Sequence, residues 1–141
     1  MKTRTLSSML ELYQDTRHHP EFHLLTWHPR GVMDDALADE IVGFVESEEA
    51  FRSEPFHRYT DFSGLKQISL KIGHVFQIAD RRHEAPEPVK SAFFADTAVG
   101  FGIARMYEEL MQNAIIEVRA FHTRADAGEW LGVPVEILQP T

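Results

Sequence analysis

Four short apolar runs alternate with helix-patterned segments along this chain, and the links between them are short. The runs FHLLTW (22–27), HRYTDF (57–62), VKSAFFA (89–95) and IIEVRAF (115–121) have the length and the aromatic and β-branched content of strands. A first amphipathic helix from about Asp34 sets Leu37, Ile41, Phe44 and Val45 on one face, with acidic residues on the rest. The spacing predicts a second helix from Ser69 to about Arg82, with Ile72, Val75, Phe76 and Ala79 inward. A third carries Ile103, Met106, Tyr107, Leu110 and Met111. A short last helix over Thr123–Leu131 opens on T-R-A-D, a candidate capping box, and ends at Gly132. Such alternation requires crossover connections. The expected fold class is therefore α/β: a mostly parallel central sheet of four to five strands with helices packed on it. VPVEIL (133–138) is the candidate fifth strand, at an edge.

The first twenty residues end at HHP, where Pro20 disfavours helix for the residue before it. Leu6, Met9, Leu10 and Tyr13 have helical spacing, so residues 1–20 read as a helical lead-in and 21–141 as one α/β domain. A chain of 141 residues can bury a core without staples. It has no cysteine, which removes disulfides, thiolate metal sites and cysteine nucleophiles together. That absence, with no apolar run of about 18 residues and no signal-peptide core in MKTRTLSSMLELYQDT, leads to the expectation of a soluble, cytoplasmic protein. The formal charge is −8, and acid concentrates in DDALADEIVGFVESEE. Nucleic acid as a partner would have to overcome phosphate repulsion, so it is set aside. Peripheral membrane contact would have to come from a local apolar patch rather than from charge.

Candidate chemistry is sparse. DTAVGFGIAR places glycines between a strand and a helix, as a phosphate-cradling loop does, but it matches neither G-x-x-x-x-G-K-[ST] nor G-x-G-x-x-G. The plain alternative is a tight βα turn with Asp96 or Thr97 at the helix start. Asp96 still lies past the carboxyl end of a strand, where open α/β sheets place ligands. Eight histidines invite a metal reading, but none forms H-x-x-x-H on a predicted helix or H-E-x-x-H, so no metal or other cofactor is expected. Ser63 and Ser69 lack the G-x-S-x-G elbow, and a nucleophile would need an oriented base. Trp130, at helical spacing from Ala127, is expected to pack on the sheet.

Three stretches, TDFSGLKQISLK, FGIARMYEEL and RAFHTRADAGEWLG, follow one another as in the SpoIIAA-like proteins, a branch of the STAS domain whose fold also resembles the CRAL-TRIO lipid-binding domain. The resemblance covers roughly 22–133 and is most specific in the carboxyl half. It implies a module that binds or regulates, with ligand binding and membrane association among the implied roles. STAS antagonists carry D-L-S-G-V at a strand end and then D-S-S-G with a phosphorylated serine. Asp61-Phe62-Ser63-Gly64-Leu65 matches the first motif. The second falls on Ser69-Leu70-Lys71-Ile72, so the phosphorylatable position becomes leucine or lysine and Ser69 suits a helix N-cap. A one-residue shift would instead make Ser69 the serine.

The leading expectation is thus a non-enzymatic STAS-like module, binding a small apolar, lipid-like or anionic ligand or a protein partner. Its site is expected at the carboxyl ends of the strands, on Asp61, Ser69, Asp96, Thr97, Gly100, Gly102 and Arg105, with no catalytic residue. The lead-in helix is the natural element for a homodimer. One alternative is a small metal-dependent or hydrolytic enzyme using histidines such as His57 and His74 near Asp61 or Asp96. The other is a partner-switching regulator controlled by phosphorylation.

Overall fold

Strands form where side chains can alternate between two covered faces, and in the computed structural model, which describes residues 15–140, they do so seven times. These are β1 (Thr16–His19), β2 (Leu24–Trp27), β3 (Gly31–Asp34), β4 (His57–Asp61), β5 (Leu65–Ser69), β6 (Lys90–Phe94) and β7 (Glu117–Phe121). The helices are α1 (Asp35–Phe51), α2 (Ile72–Arg82), α3 (Ala98–Leu110) and α4 (Arg124–Leu131). The main sheet has the order β1-β2-β4-β6-β7, with β1 antiparallel to β2 and every other pair parallel. The mostly parallel α/β sheet expected from the sequence is present.

From β2 through β4 and β6 to β7, each new strand is added on the same side of the last. Crossovers of one hand stepping in one direction lay α1, α2 and α3 on one face of the sheet. The period of two then sorts the strands. Leu25, Trp27, Arg58, Thr60, Ser91, Phe93 and Val118 face the three helices. Leu24, Tyr59, Ala92 and Phe94 face the other way, where Ala127 of α4 and Leu138 of a closing 3₁₀ turn (Val135–Leu138) cover them. Trp130 packs against Phe121 on this second face, with ring centroids 5.5 Å apart, as its spacing predicted.

Several elements differ from the sequence reading, among them β3, where Pro29 and Gly31 were expected to close a turn. Residues 65–69 are strand β5, paired in parallel with β3, and α2 starts only at Ile72. A register shift between Gly31 and Val32 leaves Lys66 as the extra, bulged residue of β5. The bulge leaves Leu65 and Ile68, three apart, in one apolar cluster, and that spacing mimics a helix. Ser69 accordingly does not cap α2. Its Oγ accepts from Gln67 Nε2 at 2.8 Å, and the Lys71 N–H at the start of α2 is satisfied by Asp35 Oδ1 at 3.0 Å. VPVEIL is the 3₁₀ turn and no strand. Gly132 in the left-handed region (φ 75°) turns the chain back under the sheet, Pro134 has no N–H for a ladder, and Leu138 is driven into the core. The fifth strand of the main sheet is instead β1, which the sequence reading had placed in the lead-in. Leu6, Met9, Leu10 and Tyr13 lie outside the described residues. The strand expected over 22–27 is β2 and begins only at Leu24, because His23 (φ 50°) closes the 3₁₀ turn Pro20–Phe22.

The remaining caps follow the sequence. Asp34 accepts from Leu37 N–H, Thr97 from Gly100 N–H and Thr123 from Asp126 N–H, each within 3.1 Å. Each satisfies a helix-start donor that would otherwise lack a partner.

Candidate functional site

Asp61 ends β4 and is fully buried (0% exposed) on the α4 face. Its Oδ2 accepts from Tyr59 Oη at 2.7 Å and from Arg124 Nε at 2.8 Å, and its Oδ1 accepts from Ser63 N–H at 2.9 Å. Burial alone would raise the carboxyl pKa, but the bonds from Arg124, Ser63 and Tyr59 overcome it and hold Asp61 below the usual range. Burial and the Asp61 charge push the Tyr59 phenol up in turn. Arg124 also donates to Ser63 Oγ at 2.7 Å and lies over the Phe94 ring. The neighbouring His28 donates from Nε2 to Leu138 O at 2.8 Å and stands 3.7 Å from Asp61 Oδ2. With Ser63 Oγ facing the Arg124 guanidinium, the constellation joins β4, α4 and the closing turn.

The other residues singled out from the sequence do not gather around Asp61. Ser69 ends β5, and Asp96 and Gly102 are exposed. Thr97 caps α3, and Arg105 is exposed and ion-paired along its own helix with Glu108 and Glu109. Gly100 is buried against the protein itself. A Cβ there would stand 3.0 Å from Thr97 Oγ1, 3.1 Å from Ala95 Cβ and 3.3 Å from Ile68 Cδ1. Its absent side chain serves close packing of α3 on β5 and not a phosphate cradle. Gly100→Val should therefore cost about 1–3 kcal/mol by overpacking, read as a lower midpoint in urea. The physical reason for the scatter is topological. Ligand crevices at strand ends occur where strand order reverses, and the parallel strands here are added in one direction throughout.

The opposite face holds a cavity of about 130 Å³ between the sheet and the three crossover helices. Its walls are largely apolar, with Met33, Ile41, Val75, Phe93 and Ile103 among them. Its polar lining includes Thr60, Arg82, Ser91 and Tyr107, and most notably Trp27 and Arg58. Both are buried, at 1% and 3% exposed. Trp27 Nε1 and Arg58 Nε and Nη1 have no hydrogen-bond partner in the protein. Arg58 Nη2 donates to Glu49 Oε2 at 2.5 Å, and the guanidinium lies 4.5 Å from the Phe56 ring centroid. Glu49 also accepts two bonds from Arg82, at 3.0 and 2.6 Å. Burial would raise the Glu49 carboxyl, but Arg82 and Arg58 together pull it below its ordinary value. Burial lowers the pKa of Arg58, while the Glu49 contacts overcome burial and raise that of Arg82. Tyr107, also on the wall, is pushed up to about 12 by burial and so keeps its hydroxyl proton.

The sequence reading missed Trp27, Glu49, Arg58, Arg82 and Tyr107. A signal was present: Arg58 and Thr60 are polar residues of one face within a central parallel strand, where continuous apolar residues are the rule.

The histidines are dispersed. His57 Nδ1 accepts the Lys90 N–H at 3.0 Å, so its ring is held neutral, and burial, Lys90 and Arg58 lower its pKa. His74 binds Asp39 at 2.7 Å, and His83 donates to Leu110 O at 2.7 Å. Among the described residues, no three His, Asp or Glu side chains gather as a metal site. No helix among them is long and apolar enough to cross a membrane.

No protein-family model matches the sequence, and no curated protein matches it. Among solved structures, it is similar to an uncharacterized protein of the DUF3478 family from Shewanella loihica PV-4, which has a SpoIIAA-like fold. The match covers 82% of this chain and 90% of that chain, at 12% identity and a TM-score of 0.53. The chain has a SpoIIAA-like fold. In this version of it, Ser69 lies in a strand three residues before α2, so its hydroxyl is not at a helix start where a phosphate would meet the dipole.

Stability of this SpoIIAA-like fold should fall in acid. Glu49 and Asp61 have folded pKa values below their ordinary 4.5 and 3.8. Their stabilisation is complete above those values and is lost as pH drops through the lowered ones. His57 acts in the same direction at higher pH, from its ordinary 6.5 downward, because protonation removes the acceptor of the Lys90 N–H. Urea midpoints should therefore decline gently from about pH 6.5 and steeply from about pH 4. A flat profile from neutral pH to about pH 3 would contradict the assignment.

Proposed function

We propose that this protein is a non-enzymatic binding module whose small-molecule ligand occupies the cavity between the sheet and α1–α3. The observation that carries the reading is the pair of buried side chains with unpartnered donors on a largely apolar wall, Trp27 Nε1 and Arg58 Nε and Nη1. A buried donor without an acceptor costs about 1–3 kcal/mol, so such groups are retained where something else completes them. A ligand with an apolar body and an oxygen acceptor supplies both halves, as small-molecule sites commonly require. Glu49 is already shared between Arg58 and Arg82, and a second carboxylate oxygen, Glu87 Oε2, lies 3.5 Å from Arg58 Nη2 without a hydrogen bond.

Native mass spectrometry on protein purified without denaturation tests the reading, together with thermal shift against small apolar compounds bearing one oxygen acceptor. Retained mass that is lost on denaturation, or a concentration-dependent rise in Tm, is the expected result. If no mass is retained and no compound raises Tm, the reading fails.

A further inference from the structure

We infer that β7 is a self-complementary sheet edge held shut by Glu108, and that releasing it joins two copies of this chain, β7 to β7, about a two-fold axis.

β7 ends the main sheet, and no strand lies beyond it among the described residues. Its backbone groups alternate in direction. The Glu117 N–H donates to Val89 O, and Phe121 O accepts from the Ala95 N–H, so Glu117, Arg119 and Phe121 turn toward β6. Val118 and Ala120 therefore turn their amides and carbonyls outward, where a further strand would pair with them. Such an edge is a template for another chain unless something blocks it. Here a side chain does so. Glu108 of α3 reaches the edge, and its Oε1 accepts the Ala120 N–H at 2.7 Å. Its Oε2 is held by Arg105, three residues earlier on the same helix. Glu108 thus occupies the acceptor position that a neighbouring strand would fill.

The side chains of β7 favour one occupant, a second β7. Val118 faces the helices, in a cluster with Ala79, Met111 and Ile116. Arg119 and Phe121 face the other way, onto Trp130, and the period of two puts Glu117 beside them. Glu117 and Arg119 are both exposed. Consider two antiparallel β7 strands with Val118 opposite its own copy. Glu117 then stands across from Arg119 of the second copy, twice by symmetry. These are positions without backbone hydrogen bonds, where facing side chains come closest, and opposite charges there are favourable. The register centred on Arg119 instead opposes two arginines, and like charges directly opposite are unfavourable. Charge therefore selects both the partner and the register. In the selected register the Ala120 N–H meets the Ile116 carbonyl of the second copy. Glu108 and the second copy compete for that one donor, and the open form is a single sheet continuous through both molecules.

The test is sedimentation equilibrium on the full chain, parent against Glu108→Ala, with exchange of the Ala120 amide followed by NMR. The parent is expected to stay monomeric with that amide protected, and Glu108→Ala to dimerise at the same concentration. Glu108→Gln keeps an acceptor oxygen and should behave as the parent. In the Glu108→Ala background, Glu117→Arg sets like charges opposite each other twice and should weaken association about tenfold. Adding Arg119→Glu restores opposite charges and should recover the dimer. A Glu108→Ala protein that stays monomeric would overturn the inference, as would a parent already dimeric to the same extent. So would assemblies larger than a dimer, which need β7 to meet a different surface, or a dimer indifferent to Glu117→Arg. Should Glu108→Ala not fold, fast exchange of the Ala120 amide in the parent would by itself show that Glu108 does not close the edge.

Discussion

Glu49→Ala should unfold at a much lower urea concentration than the parent, with a loss of about 3–5 kcal/mol. The substitution strips the shared carboxylate from two guanidiniums that are 3% and 5% exposed. Each keeps one longer ion pair. Glu87 and Glu46 are the remaining carboxylates, at 3.5 Å from Arg58 and 3.6 Å from Arg82. A companion variant separates charge from packing. Glu49→Leu combined with Arg58→Met and Arg82→Leu removes the whole cluster and should recover much of the lost stability, because an apolar replacement of a buried ionic group is often neutral or better. If Glu49→Ala is mild, Glu87 and Glu46 have taken over the two guanidiniums.

Asp61→Ala should also be severe, toward the lower part of about 3–5 kcal/mol. It leaves the Tyr59 hydroxyl buried without its acceptor and Arg124 without its anion. Arg124 is 27% exposed at the side chain, so water can take over part of its charge, which is why the loss should be smaller than at Glu49. Tyr59→Phe isolates the phenol contribution. It should cost about 1 kcal/mol and leave the Arg124–Asp61 pair intact. Chemical denaturation of the two single variants and the double variant gives the coupling between them directly.

The alternation of apolar runs and amphipathic segments carried most of the fold, since period two and period 3.6 are local properties that survive without knowledge of neighbours. It failed where pairing was needed to interpret a pattern. Residues 65–68 fall in no element and Ser69 opens a helix until the pairing of 65–69 with β3 is seen, and VPVEIL reads as a strand until Leu138 is found in the core. The site was harder for a related reason. Asp61 stood out because it terminates a strand, and its partners Tyr59 and Arg124 are 2 and 63 residues away. Arg58 joins Glu49 and Arg82 from three separate elements, 9 and 33 residues being the gaps between the bonded pairs. No linear motif can encode such a meeting. Only the oddity of an arginine inside a covered strand hinted at it.

Leu138 has a consequence for the order in which the molecule can be completed. The three crossover units need only preceding sequence to cover their face of the sheet, so that side can consolidate during synthesis as each segment appears. The other side stays bare until α4 and the closing turn have followed, for Ala127 and Leu138 are what cover Leu24, Tyr59, Ala92 and Phe94. A nascent chain halted before residue 124 would display a one-sided sheet to chaperones and to its neighbours on the polysome.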